Sequence, residues 1–197
     1  MAQRVILAAN GGNMGLHPAL ARSAVPLNVR EVATWPVPEE IRDTVLPHGH
    51  ALTDRGPDIF TIRYDASGRL ITAATMPWVR SWEALERAVN ARLRQVIPNW
   101  TFLPLDNAWT GTAWLNIDAQ PRFVKPEPGV LAIQACNGRG VALAGPVGRD
   151  AAHWAIDPAA PLGLPVITPR PVPAYAITSR LPKAAMMLAA IKNRVAA

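Results

Sequence analysis

Two segments of the chain follow one design, and together they restrict the fold more than anything else in it. "RVILAANGG" holds an apolar run about one short strand long, Val5 to Ala9, that breaks at a glycine pair. "VLAIQACNGRGVALAGPVG", residues 130–148, does the same. Its apolar run from Val130 to Ala135 breaks at Asn137-Gly138-Arg139-Gly140, and a small-residue helix pattern follows. A continuous apolar run without alternation reads as a strand buried on both faces of a parallel sheet. The two segments are therefore expected in one layer, with the residues between them folded as an insertion.

Those residues alternate instead. "PLNVREVATWPV" has the apolar–polar period of a strand with one solvated face. "DIFTIRYDASGRLITAAT" reads as a hairpin turning at Asp65-Ala66-Ser67-Gly68. Trp82, Leu85, Val89, Leu93 and Val96 fall on one face of a helix predicted over Ser81 to Ile97, with Ser81 as N-cap and Pro98 closing it. "WTFLPLDNAWTGTAWLNID" is extended, and "PRFVKPEPGVLAIQA" is a hairpin-like return. Shorter helices are expected over Pro18 to Ser23 and from Pro38, the second with acids in its first turn. The helix after Gly140 is expected to be kinked or delayed by Pro146. A proline-rich crossing, residues 158–173, leads to a last amphipathic helix over Leu181 to Val195.

Composition excludes several functions. Half of the residues are apolar and 17% charged, a globular balance. The net charge of +6 is scattered among acids such as Glu39, Glu40, Glu83 and Glu86, without the clustered footprint of a nucleic-acid binder. The single cysteine, Cys136, excludes an internal disulfide framework and a cysteine zinc site, and reads as a small buried hydrophobe. His48 and His50 have no third ligand at metal spacing, and His153 reads as an ordinary helix residue, so no metal is expected. There is no apolar run of about 18 residues to span a membrane and no signal-peptide pattern, which makes a cytoplasmic location the expectation.

The glycine turns carry the chemistry. Glycine at a strand-to-helix turn admits positive φ and lets another molecule approach the backbone. The helix that follows offers unpaired N–H groups and a partial positive charge to an anion. Spacing alone leaves a cofactor contact and a structural turn both open. After Gly138-Arg139-Gly140 the next glycine comes late, at Gly145, and Asp157-Pro158 is a poor ribose acid. Gly11-Gly12-x-x-Gly15 misses the dinucleotide pattern too.

Taken in order, "VILAANGG", "VPLNVREVATWPVPEEI", "GHALTD", "IRYDASGRLITAAT", "AWTGTAWLNIDAQP" and "ACNGRGVALAGPVG" resemble the C-terminal half of the FAD-dependent amine and amino-acid oxidoreductases of the D-amino-acid oxidase (glycine oxidase, sarcosine oxidase) superfamily. The branch that oxidises polyamine-type amines is the nearest in character. The resemblance implies an α+β fold, with a mostly antiparallel substrate-domain sheet inserted between two strand–turn units of an incomplete FAD-binding, Rossmann-like layer. Residues 1–25 would be a remnant of that layer, 26–125 the substrate domain, and 126–197 the closing strand, GRG turn and helix with the C-terminal helix. It implies FAD as cofactor and transfer of hydride from an amine carbon to flavin N5. Asn137, Gly138, Arg139, Gly140 and Val141 match the turn and helix start that face the flavin pyrimidine ring, and Asn10 and Gly11 match the turn on the other strand. Arg63 and Trp109 would lie on the substrate side. No catalytic acid or base is implied.

Two departures shape the expectation. The family's G-x-G-x-x-G unit, with its pyrophosphate and ribose anchors, would precede residue 1, so the chain is expected to be incomplete alone. It would be a fragment, a subunit of a split enzyme that binds a partner or itself through an exposed face of the FAD layer, or a non-catalytic binding domain. The segment Gly111-Thr112-Ala113-Trp114 lacks the arginine that pairs a substrate carboxylate, and Ala142 stands where other members carry lysine. Both favour a neutral or cationic amine over an α-amino acid, and both fit equally well with a pocket that has lost its function.

Overall fold

A computed structural model of the chain describes residues 3–53, 60–74, 79, 81–134 and 136–195, with the side chains of the last helix described to residue 189 and at 191. They form two compact units, Met1–Leu27 with Thr112–Pro182 and Asn28–Gly111 with Lys183–Ala197. The fold is mixed α and β, with one antiparallel and one mixed sheet, as the sequence implied.

The first unit holds a four-stranded sheet of order β1-β8-β7-β9. Strand β1 (Val5–Leu7) runs parallel to β8 (Val130–Gln134), with Val5 opposite Val130 and Leu7 opposite Ala132. The two glycine-turn segments thus share one sheet. Strand β7 (Arg122–Val124) pairs antiparallel with β8, and β9 (Val166–Ile167) lies parallel to β7. The proline-rich crossing therefore contributes a strand that its composition did not suggest.

Of the helices, numbered in chain order from α1 (Asn13–Leu16) and α2 (Glu39–Arg42), helix α4 (Gly140–Ile156) covers one face of this sheet, its Val147, Ala151 and Trp154 packing with Phe123 and Leu131. Leu20 packs with Val124 and Ala132 in a second cluster. The expected burial holds for β8, whose Leu131 and Ala132 are fully enclosed. It fails for β1, which is the terminal strand of the sheet and leaves Val5 42% exposed. Pro146 lies inside α4 and does not delay its start. Its missing N–H costs the helix one hydrogen bond. At the other end Arg4 donates to the carbonyls of Ala155 (2.5 Å) and Ile156 (2.7 Å), setting a cation where the helix dipole is negative.

The second unit is built on an antiparallel sheet of order β3-β4-β5-β2-β6. Its strands are β2 (Val25–Pro36), β3 (Leu52–Thr53), β4 (Thr61–Tyr64), β5 (Arg69–Ala73) and β6 (Leu105–Leu115). Strands β4 and β5 form the expected hairpin, whose outer residues Asp58, Ile59 and Thr75 lie outside the described residues. Helix α3 (Trp82–Val96) starts where Ser81 accepts a hydrogen bond from the Ala84 amide at 3.2 Å. Its Leu85, Val89 and Leu93 bury against Val32, Ile62 and Leu70. Trp82 and Val96, at the ends of the predicted stripe, are about half exposed.

A buried polar residue completes this core. Asn90 donates to the carbonyls of Glu86 and Leu103 and accepts from the Leu103 amide and the Trp100 indole, all at 2.9–3.0 Å. With every polar atom satisfied, it ties the segment after α3 to the helix without the penalty of a buried orphan. Because strand residues alternate, the register that turns Val32 and Ile62 toward α3 sends Glu31, Ala33, Arg63, Ile71 and Ala73 to the opposite face.

The β4–β5 turn has an electrostatic brace. Asp65 accepts from the amides of Ser67 and Arg69 and from the Arg69 guanidinium. Partial burial pushes its carboxyl up, but these hydrogen bonds outweigh that and hold it below the usual carboxylate range. A carboxylate depressed in the folded state stabilises the fold above its unfolded pKa, about 3.9, and loses that contribution as pH falls through the folded value. Asp65→Asn is therefore expected to melt below the parent protein at neutral pH, with the two melting temperatures converging as the pH is taken below about 3.9. Equal melting at neutral pH would show that the turn draws nothing from this charge.

Candidate functional site

In the first unit the two strands end in the same way, each in an asparagine held in the left-handed region and followed by glycine. Asn10 has φ 51° and Asn137 has φ 54°, a conformation asparagine tolerates better than other side chains do. Gly138 follows at φ 77°. A Cβ at Gly138 would meet nothing within 4 Å, so its backbone conformation, not crowding, calls for glycine there.

The structure brings the sequence-predicted residues of this unit together. The Asn10 amide donates to Cys136 Sγ at 3.3 Å, linking the turn after β1 to the end of β8. Asn137 donates its backbone N–H to the Trp114 carbonyl at 3.2 Å and accepts from the Asn116 amide at 2.8 Å. Arg139 closes the turn with a 3.0 Å bond from its N–H to the Cys136 carbonyl. Its exposed guanidinium reaches the Ala119 carbonyl at 3.3 Å. Cys136 is half-buried and serves as an acceptor inside the turn.

Three residues that the motifs did not single out hold this arrangement. Asn13 is fully buried, accepts from the Ala9 amide at 2.9 Å, and donates to Leu7 on β1 (3.2 Å) and Ile133 on β8 (2.8 Å). One side chain thus fastens both strands just before their turns. Trp114 stacks on Gly11 so closely that a Cβ there would fall within the indole ring. Asn116 bonds Asn137 and the Gln120 carbonyl (2.6 Å). The available signal for Asn13 was its place in "NGGNMG", where a fourth polar residue stands beyond the glycine pair.

The turn delivers the start of α4. Arg139 is its N-cap, no side chain caps it, and its first turn holds no acid. The leading N–H groups of a helix have no acceptor within the helix, and its dipole concentrates partial positive charge there. Val141 is fully exposed beside them. The far end of α4 is neutralised by Arg4, so the polarity of the helix is answered at one end only. This is a donor set for an anion, or for an oxygen that gains negative charge. An extended flat group could approach it, because neither Gly138 nor Val141 has neighbours over it.

Arg63 and Trp109 belong to the second unit. Arg63 is an exposed residue of β4, and Trp109, on β6, is 42% exposed. Among the described residues no group of three histidine, cysteine, aspartate or glutamate side chains is placed to hold a metal. No described helix is long and apolar enough to cross a membrane.

No family model matches the chain. It is 25% identical over 157 residues to the probable oxidoreductase OrdL of Haemophilus influenzae, a match that covers 78% of this chain and 36% of the relative. It is 24% identical over 149 residues to the gamma-glutamylputrescine oxidoreductase of Escherichia coli, covering 74% and 35%. Among solved structures, glycine oxidase from Bacillus cereus superposes with a TM-score of 0.58 at 15% identity, covering 82% of this chain and 44% of that one. The chain thus spans little more than a third of the length of these curated relatives.

Proposed function

We propose that the chain is part of the D-amino-acid oxidase and glycine oxidase superfamily of FAD-dependent oxidoreductases, and that it supplies the flavin-capping turns and the substrate sheet of an enzyme that oxidises an amine. The observation that carries this reading is the start of α4. It presents N–H groups that have no acceptor within the helix, no side-chain cap and no acid, behind a turn braced by Asn10, Cys136, Asn137 and Arg139.

The donor set fits the group that the family uses. Gly138, Arg139, Gly140 and Val141 would hold the pyrimidine edge of FAD, and Asn10 and Gly11 would stand at the second turn. When bound, the flavin supplies the acceptor for the hydride that leaves the amine carbon. The chain's own contribution is electrostatic and positional. The α4 N–H groups offer preorganised positive charge to a flavin oxygen that becomes more negative on reduction. Asn13 fixes the separation of the two turns by tying β1 to β8. Arg63 and Trp109, in the second unit, would take the substrate. The pyrophosphate and ribose anchors would come from a nucleotide-binding unit on a partner or on the remainder of a longer chain.

The test is an absorbance and fluorescence titration of the chain with FAD and with FMN, run beside Val141→Asp. Val141 is fully exposed, so the substitution removes no packing. An acid in the first turn of a helix is favourable by about 0.3–1 kcal/mol, so the variant is expected to melt no lower than the parent. The same charge opposes an anionic ring edge, and its affinity for FAD is expected to fall about tenfold. A chain that leaves unchanged the spectra both of FAD and of FMN, whose isoalloxazine needs no adenine anchor, or a variant that binds them as well as the parent, would overturn the reading.

A further inference from the structure

The two glycine turns of the first unit are built alike and differ in what lies over them. Each contains an asparagine in the left-handed region followed by glycine. The space beside Gly138 is open, since a Cβ there would meet nothing within 4 Å. Gly11 is covered by the indole of Trp114: the three atoms nearest to where its Cβ would stand all belong to that ring. Gly11 is accordingly buried, although its neighbours Asn10 and Gly12 are half-buried and exposed. A flat aromatic group already holds one of the two turns, and it belongs to the chain itself.

Trp114 is tied down unevenly. Its carbonyl accepts from the Asn137 N–H at 3.2 Å, and two residues on the Asn116 amide donates to the Asn137 side chain at 2.8 Å. The main chain is thus fastened to the second turn. The ring has no such tie: among the described residues nothing accepts a hydrogen bond from its N–H, and packing alone holds the half-buried side chain. Rotation about the side-chain bonds of Trp114 uncovers Gly11 and leaves these backbone bonds in place.

We propose that Trp114 gates this site: its indole occupies the face of the Gly11 turn on which a planar aromatic ligand seats, and a ligand ring enters only when the indole has swung aside. The inference rests on the flavin-capping reading for the identity of that ring, an isoalloxazine, and adds to the reading a competitor that the site carries with it. Glycine at position 11 is what admits either ring, because any Cβ would stand inside it. A site that is open only part of the time binds with an affinity reduced by the open fraction. Removing the indole therefore strengthens ligand binding, whereas removing a side chain that touches the ligand weakens it.

Titration of the full chain with FMN, followed by flavin absorbance, and with indole, followed by calorimetry, compares the parent with Trp114→Ala. The variant is expected to bind FMN about tenfold more tightly than the parent, the factor for a site open about a tenth of the time. It is also expected to take up indole, which the parent does not. Equal FMN binding by the two proteins would overturn the proposal, and so would weaker binding by the variant, which would make Trp114 a ligand contact. Uptake of indole by the variant with FMN ignored by both proteins would retain the gated ring site and remove the flavin reading. A variant that binds neither ligand would overturn the proposal. Should Trp114→Ala fold poorly, the parent decides. With 5-fluorotryptophan in place of tryptophan, the Trp114 fluorine signal is assigned by its loss in Trp114→Phe. Saturation with FMN is expected to raise the solvent isotope shift of that signal as the ring leaves Gly11. A shift that FMN leaves unchanged would overturn the proposal.

Discussion

Asn13→Leu is expected to lower the unfolding free energy by about 3–5 kcal/mol, because it strips partners from three backbone groups at once. Leucine fills much of the same volume, so the loss isolates hydrogen bonding from packing. The Ala9 amide and the carbonyls of Leu7 and Ile133 would each be left without their side-chain partner beside a fully buried residue. Each orphan costs about 1–3 kcal/mol, moderated by relaxation of β1, the more exposed strand. Aspartate would not rescue the site: it can accept from Ala9 but has no N–H to donate to either carbonyl. For a domain of ordinary stability, about 5–15 kcal/mol, this is a large share of the total. Urea unfolding followed by circular dichroism measures it. A loss below about 1 kcal/mol would mean that the side chain does not join the strands in solution.

Gly11→Ala is the second large effect, and it arises from space alone. The residue is buried, its backbone conformation is open to any amino acid, and the added Cβ would overlap the Trp114 indole. Overpacking of this kind typically costs about 1–3 kcal/mol, and a rigid ring against backbone places it at the upper end. Trp114→Ala removes the obstacle. The double variant is therefore expected to be at least about 1 kcal/mol more stable than the two single losses added together. Strict additivity in the thermal unfolding of the four proteins would show that the two residues do not touch.

Much of this architecture was legible because periodicity reports burial directly. Leu85, Val89 and Leu93 fall at helical spacing and are buried, and the turn residues at 65–68 fix a hairpin on their own. The continuous apolar runs announced a parallel pair, and β1 and β8 form one. What periodicity could not show was which strand stands at a sheet edge, since Val5 and Val130 look alike in sequence and differ only in their neighbours. Strand β9 went unseen for a related reason: two residues between prolines form a strand only because β7 offers them a partner. At the candidate site, the glycines were readable because their backbone demands are local. Asn13, Trp114 and Asn116 were not, because each acts on residues distant in sequence or on a backbone geometry that only the folded turn creates.

The parallel pairing of Val5 with Val130 also sets a timetable for synthesis. At about 5–20 residues per second, β1 would leave the ribosome roughly 6–25 s before its strand partner β8 is made. The core beneath α3 draws on residues 32–105 alone and can form in that interval. The first strand of the chain thus belongs to the half that folds last. Throughout the wait, Val5, Ile6 and Leu7 lack the β8 partner that the folded sheet gives them, and an apolar strand short of its partner is the kind of segment that chaperones bind and that aggregation recruits.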